Sequence, residues 1–167
     1  TCMLCKIMES VIKEQLLSYV LIHNYITKHQ HAFICNHSTT TNLLECLQDW
    51  SISLNNKQYT DVIYFDLRRA FDSIVHSKLI LKLQTFGISG KLLTWLSAFL
   101  CNRTQRVVIE NCLSVESKVI SGVPQSSVLG PILFIMFDSD CCGSTKFSLF
   151  ADDLKLYSEI DSITGSN

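Results

Sequence analysis

Apolar residues recur at three- and four-residue intervals near the start of the chain: Leu4, Ile7, Met8, Val11, Ile12, Leu16, Tyr19 and Val20. That spacing puts them on one face of an amphipathic helix, which is expected to pack by that face. The polar run Asn36-His37-Ser38-Thr39-Thr40-Thr41 supplies N-cap oxygens for a second helix carrying Leu43, Leu44, Leu47 and Trp50, and Asn55-Asn56 closes it with a turn. The pattern then changes. Thr60 to Phe65, TDVIYF, is rich in β-branched and aromatic side chains and runs straight into Asp66, which places a carboxylate at the end of a short strand.

Helical spacing resumes at Lys78-Leu79-Ile80-Leu81-Lys82-Leu83 and stops at Phe86-Gly87, with Gly87 as the C′ residue. A further helix carries Leu92, Leu93, Trp95, Leu96 and Phe99. Arg106–Ile109 and Ser117–Ile120 read as two strands about a turn near Asn111, and they lead into the strand-breaking Ser121-Gly122-Val123-Pro124. Val128 to Phe137 reads as an apolar helix with Pro131 tolerated in its first turn. Phe147–Phe150 and Leu154–Tyr157 are short strands separated by Ala151-Asp152-Asp153, a tight hairpin with carboxylates at its tip. Together these elements predict an α+β fold in one domain, without repeats or an interdomain linker.

Composition narrows the picture little. The 167 residues are 47% hydrophobic, enough for one sizeable core. The balance of 14 basic and 15 acidic residues gives a net charge of -1, so charge alone does not point to a nucleic-acid partner. No run of about 20 apolar residues predicts a membrane span, and no signal peptide is evident, so the chain reads as intracellular, in cytoplasm or nucleus. The eight cysteines are scattered through apolar segments and read as reduced thiols. Cys2 and Cys5 form a lone CxxC, and His29, His31, Cys35 and His37 have a metal-like look, but neither has a second half at zinc-finger spacing. The chain starts without methionine and stops soon after its last strong motif, as a fragment would.

The chemistry concentrates in the aspartates. Adjacent like charges at the tip of an apolar hairpin are costly unless a cation compensates them. Asp66, Asp152 and Asp153, if they converge, would suit two divalent ions about 3.5 to 4 Å apart, the arrangement of polymerases and nucleases. Magnesium fits, because it takes a few carboxylates together with substrate phosphates and water. The plainer alternative is that Asp152-Asp153 only makes a turn and Asp66 caps the next helix.

Three ordered motifs carry a family resemblance. Phe150 to Tyr157, FADDLKLY, resembles the active-site hairpin of reverse transcriptases of non-LTR (LINE-like) retrotransposons. Tyr64 to Ile74, YFDLRRAFDSI, is similar to their first palm motif, and Ser121 to Pro131, SGVPQSSVLGP, to their SGVPQGSVLGP segment. Looser matches are Gly87 to Ile109 and, in the fingers, Gln30 to Thr40, QHAFICNHSTT, beside the family's QxGFRxxxST. The resemblance implies a right-hand polymerase palm, with fingers-side helices in residues 1–56 and palm in 57–167. It implies RNA-directed DNA synthesis from an RNA template, a DNA primer and deoxynucleoside triphosphates, with Mg2+, or Mn2+ in its place.

Position by position, the resemblance makes Asp66 and Asp152 the metal-binding carboxylates, with Asp153 in support. Phe71 falls at the steric gate beneath the sugar, its alternative being a core aromatic. Gln125 matches the glutamine near the nucleotide, its alternative being a solvated loop amide. Arg69 stands in the place of a lysine and could approach phosphates or remain a surface arginine. Asp72 reads as a helix N-terminal residue and His76 as a structural histidine. Three residues depart from the pattern: Ser126 stands where the family has glycine, Ile34 where it has arginine, and Ala32 where it has glycine. The chain also ends before the family's primer grip and thumb. These points leave a rival reading of a catalytically dead retroelement remnant that at most binds nucleic acid or protein, and they predict no activity for the chain alone. A two-metal nuclease would use the carboxylates but gives Phe71 and Gln125 no task.

Overall fold

The structure is a computed structural model and describes residues 2–139 and 145–160. In chain order the elements are α1 (Met3–Ile22), α2 (Thr39–Asn55), β1 (Tyr59–Asp66), α3 (His76–Thr85), α4 (Gly90–Leu100), β2 (Arg103–Gln105), β3 (Val108–Ile109), β4 (Cys112–Leu113), β5 (Ser117–Val119), α5 (Gly130–Phe137), β6 (Lys146–Phe150) and β7 (Asp153–Ile160). The fold is α+β. It divides into two compact units, one of Thr1–Tyr25 with Arg69–Asp138 and one of Ile26–Arg68 with Ser139–Asn167. The six described cysteines, Cys2, Cys5, Cys35, Cys46, Cys101 and Cys112, are free thiols as expected, whereas Cys141 and Cys142 lie outside the described residues.

The unit containing α2 is built on an antiparallel sheet of order β1-β7-β6. The β1/β7 ladder runs without a bulge from Tyr59↔Ile160 to Asp66↔Asp153, so its register fixes which side chains share a face. Ser38 caps α2 through a box in which its hydroxyl accepts from the Thr41 N–H while Thr41 accepts from the Ser38 N–H. The helix turns an unexpected face inward. Leu43, Leu44 and Leu47 are exposed, and the buried residues are Asn42, Cys46 and Ser53. Asn42 donates to the Leu149 carbonyl at 3.0 Å and to the Ser148 hydroxyl at 2.6 Å, and it accepts from Lys155 Nζ at 2.7 Å. Tyr157 adds a hydrogen bond to Asp49 at 2.7 Å. This helix is fastened to its sheet by satisfied polar groups, which apolar periodicity does not reveal.

The other unit has a conventional core. Ile132, Leu133, Phe134, Ile135 and Met136 of α5 are buried, as are Leu79 and Leu83 of α3 and Leu96 and Leu100 of α4. Each such side chain stabilises the fold by about 1.5–3 kcal/mol relative to exposure. Gly87 ends α3 with φ +82, and a Cβ there would lie 2.9 Å from the Tyr19 hydroxyl, which donates to the Phe86 carbonyl. Helix α1 departs from expectation, because Leu4, Ile7, Met8 and Val11 are exposed while Glu9, Leu16 and Val20 are buried. The strands between α4 and α5 nest about one turn, as expected, but split into two short ladders whose register shifts by one residue. β2 pairs with β5, and β3 with β4 about a turn at Glu110-Asn111, both with positive φ. Between the two ladders the Ser114 N–H donates to the Val107 carbonyl at 2.9 Å, while the Val107 N–H donates to the Ser114 hydroxyl at 2.9 Å.

Candidate active site

Asp66 and Asp153 are direct cross-strand partners at the end of the β1/β7 ladder, so the two carboxylates leave the same face of the sheet. Asp152 precedes Asp153 in the turn that joins β6 to β7, where Phe150 pairs with Asp153. The central residues of that turn are Ala151 and Asp152. Ala151 has φ +55 and Asp152 does not have positive φ, the sign pattern of a type II′ rather than a type I′ turn. Glycine is the residue favoured at the first of these positions, and alanine there costs of order 1–2 kcal/mol. Such strain persists only where the surroundings hold it.

Among the described residues, none of the three carboxylates has a hydrogen-bond or ion-pair partner. They do not form a ready-made cage either, since no group of three or more His, Cys, Asp or Glu among those residues is placed to hold a metal ion. Unpaired carboxylates facing one another suit an ion that draws its remaining ligands from substrate phosphates and water, as magnesium does. A cavity of about 430 Å³ adjoins Asp66 and Asp153, lined also by Asn42, Tyr64, Phe150 and Lys155 among others, and Asp152 is not among its lining residues. The histidine-rich segment holds no metal group. Instead Glu45 receives His29 Nδ1 at 2.5 Å and His31 Nε2 at 2.6 Å, and the Cys2 and Cys5 thiols hydrogen-bond at 3.2 Å.

The remaining motif residues lie in the other unit and are laced together there. The Val123 N–H donates to the Phe71 carbonyl at 3.0 Å, the Gly122 N–H to the Ile74 carbonyl at 2.8 Å, and Gln125 Nε2 to Asp72 Oδ1 at 3.0 Å. Gly122 has φ +84, and a Cβ on it would sit 2.8 Å from the Asp72 Cα, so glycine is required for the two segments to approach. Phe71 is half-buried and stacks on Phe134 with ring centroids 4.3 Å apart. Arg69 is exposed with φ +54, and its carbonyl accepts from the Asp72 and Ser73 N–H groups. Asp72 is therefore a turn residue, not the start of a helix, since α3 begins at His76. His76 is buried and donates from Nε2 to the Gly122 carbonyl at 2.8 Å, the structural role expected of it. Ser126 has φ +59, so the family's glycine position is one where the backbone is left-handed.

Sequence reasoning missed two features of these sites. Arg103, which lies within the looser Gly87–Ile109 match but was given no role, and Lys118, which no motif covers, line a cavity of about 470 Å³ together with Asp72 and Gln125. Glu9 is buried in α1, and its Oε2 accepts from the Val128 N–H at 2.7 Å and the Leu129 N–H at 3.2 Å, at the entry to α5. Its signal was an acid set among apolar neighbours of a helical stretch. No helix among the described residues is long and apolar enough to cross a membrane.

Comparison with known proteins agrees with the family resemblance of the motifs. A profile of the family "Reverse transcriptase (RNA-dependent DNA polymerase)" matches residues 1–164. The chain is 33% identical over 135 residues to the "RNA-directed DNA polymerase from mobile element jockey" of Drosophila melanogaster, covering 81% of this chain and 15% of that protein. It is 28% identical over 156 residues to the same organism's "Probable RNA-directed DNA polymerase from transposon X-element", covering 89% and 17%. It thus spans less than a fifth of the length of these curated relatives. Among solved structures, apo telomerase from Candida tropicalis superposes with a TM-score of 0.62 at 14% identity, over 87% of this chain and 33% of that one, which shows a shared fold. From its profile match and its ordered motifs, the chain belongs to the reverse transcriptase family, in its LINE-like retrotransposon branch.

Proposed function

We propose that this chain carries the chemical centre of a retroelement RNA-directed DNA polymerase, which extends a DNA primer on an RNA template inside the cell. Residues 1–56 serve as fingers-side helices and 57–167 as palm. The observation that carries the reading is the pairing of Asp66 and Asp153 across β1/β7, with Asp152 in the adjoining turn and none of the three carboxylates partnered among the described residues. Asp66 and Asp152 would hold Mg2+, or Mn2+ in its place, with Asp153 supporting them. When bound, the metal supplies activation of the primer 3′ hydroxyl and neutralisation of charge on the triphosphate during an in-line displacement. Phe71 excludes a 2′ hydroxyl by bulk, Gln125 orients the nucleotide near its sugar, and Arg69 approaches phosphate.

The test is a chimera in which these residues replace the matching segment of the jockey polymerase. RNA-templated extension with magnesium is expected and should disappear in Asp152→Asn, and Phe71→Ala should raise ribonucleotide relative to deoxyribonucleotide incorporation. Extension that survives Asp152→Asn contradicts the assignment. A second reading, a catalytically dead remnant, draws support from Ser126 at φ +59 in a glycine position and from Ile34 in an arginine position. It predicts an inactive chimera. The chain assayed alone is expected to give no extension above the Asp152→Asn background, because chemistry needs near-attack geometry and a misplacement of about 1 Å costs ~100-fold.

A further inference from the structure

The strained turn that carries Asp152 is held from one side by a single buried side chain. Gln30 is 2% exposed and lies 121 residues before Ala151. Its Oε1 accepts from the Ala151 N–H at 3.0 Å and its Nε2 donates to the Ala151 carbonyl at 3.4 Å, so one amide grips both polar groups of the turn residue. The same Oε1 accepts from the Ala32 N–H at 2.9 Å, which fixes the amide's orientation. The backbone around Gln30 is itself fastened to β6: the Leu149 N–H donates to the His29 carbonyl at 2.9 Å, and the His31 N–H to the Leu149 carbonyl at 3.0 Å. Glu45 of α2 holds the flanking His29 and His31 side chains from the other direction.

We infer that Gln30 is a positioning residue for the metal-binding hairpin: its amide fixes the Ala151 backbone and thereby the carboxylates of Asp152 and Asp153. The inference rests on the proposed function for the meaning of those carboxylates, but the clamp itself is independent of it. An amide suits the task because it offers one donor and one acceptor in a plane, matching the N–H and C=O of one residue. A carboxylate could only accept and an ammonium could only donate. Ala151 has φ +55, so without the clamp the turn can relax and Asp152 moves with it.

The experiment uses the 167-residue chain and two variants. Gln30→Met keeps the length and loses both bonds to Ala151 together with the one from the Ala32 N–H, and Gln30→Glu keeps the acceptor but sets an oxygen against the Ala151 carbonyl. Amide hydrogen exchange is read residue by residue, together with Mn2+ binding by water-proton relaxation in the presence of a deoxynucleoside triphosphate. In Gln30→Met, exchange at the Ala151 N–H should rise up to about tenfold while β7 amides paired with β1 stay protected. Mn2+ affinity should fall about 10- to 100-fold, as when a metal ligand loses its outer support. Gln30→Glu should fall between Gln30→Met and the parent in both readouts, and it decides the matter if Gln30→Met fails to fold. Unchanged Ala151 protection, general loss of protection through β6 and β7, or unchanged Mn2+ affinity despite faster Ala151 exchange would each overturn the inference. Mn2+ binding by the parent that equals that of Asp152→Asn would instead sink the proposed function, leaving the exchange data to judge the clamp.

Discussion

Two turns that bear family motifs, one in each compact unit, are each anchored by one buried polar side chain from more than a hundred residues away. At the hairpin the anchor is the neutral amide of Gln30, which both donates and accepts. At the entry to α5 it is the carboxylate of Glu9, which accepts from the N–H groups of Val128 and Leu129. The difference follows from what each turn offers. A hairpin residue outside the ladder presents both an N–H and a C=O, whereas the start of a helix presents only N–H groups and the positive end of its dipole. The amide is satisfied at both atoms, but Glu9 Oε1 is buried without a hydrogen-bond partner among the described residues. Glu9 therefore leaves a polar atom unserved where Gln30 does not.

The sharpest way to break this comparison is to remove the Glu9 anchor. Glu9→Ala leaves two N–H groups short of an acceptor, each costing about 1–3 kcal/mol, and should destabilise the chain by roughly 2–6 kcal/mol in urea unfolding. Glu9→Gln keeps an acceptor and should lose only about 1 kcal/mol, the worth of a charge at a helix N-terminus. Equal losses in the two variants would mean that packing, not the hydrogen bonds, accounts for the residue.

A smaller effect compares the two left-handed residues themselves. Ser126 is exposed, so Ser126→Gly relieves about 1–2 kcal/mol of backbone strain against about 0.5–1 kcal/mol of added chain entropy, for a net gain of roughly 0.5–1 kcal/mol. Ala151 is buried, so Ala151→Gly gains the same relief but loses a buried methyl worth about 0.8 kcal/mol, and should be close to neutral. Thermal unfolding of the pair checks the difference. A larger gain at position 151 would mean that Gln30 does not stabilise the turn there.

These cases also show how far the sequence could be read. β1 ending at Asp66, the Asp152-Asp153 hairpin, the Gly87 stop and the buried α5 were legible because each is written in local pattern: alternation, turn residues, or an unbroken apolar run. Helices α1 and α2 were legible as helices but not in orientation, since Glu9 and Asn42 are the buried groups where Leu4, Ile7, Leu43 and Leu47 are exposed. Their partners lie about a hundred residues away, and apolar spacing is silent about such bonds. Asp72 was misread for a related reason, because its surroundings are set by Gly122 and Gln125, not by the residues that follow it. Ser126 was legible as a departure from glycine, and the structure supplies the physical cause in its positive φ.

The smallest expected effect concerns pH and the support behind Gln30. Burial pushes the Glu45 carboxyl up, but hydrogen bonds from His31 and His29 outweigh it and hold the group below its ordinary value. A depressed folded-state value means that the contribution is fully present above the ordinary glutamate range and is lost as pH falls through the depressed value. Glu45→Gln should therefore lower stability near neutral pH and flatten the acid limb of a stability–pH curve. An acid limb with unchanged slope would place the acid sensitivity elsewhere.

The central claim is that Asp66 and the hairpin aspartates form one metal-binding site, and Mn2+ titration followed by water-proton relaxation tests it most directly. With a deoxynucleoside triphosphate present, the chain is expected to bind Mn2+, and Asp66→Asn and Asp152→Asn should each weaken binding by at least about tenfold, since losing even an outer-shell partner costs that much. Mn2+ binding that is the same in the parent chain and in both variants would contradict it.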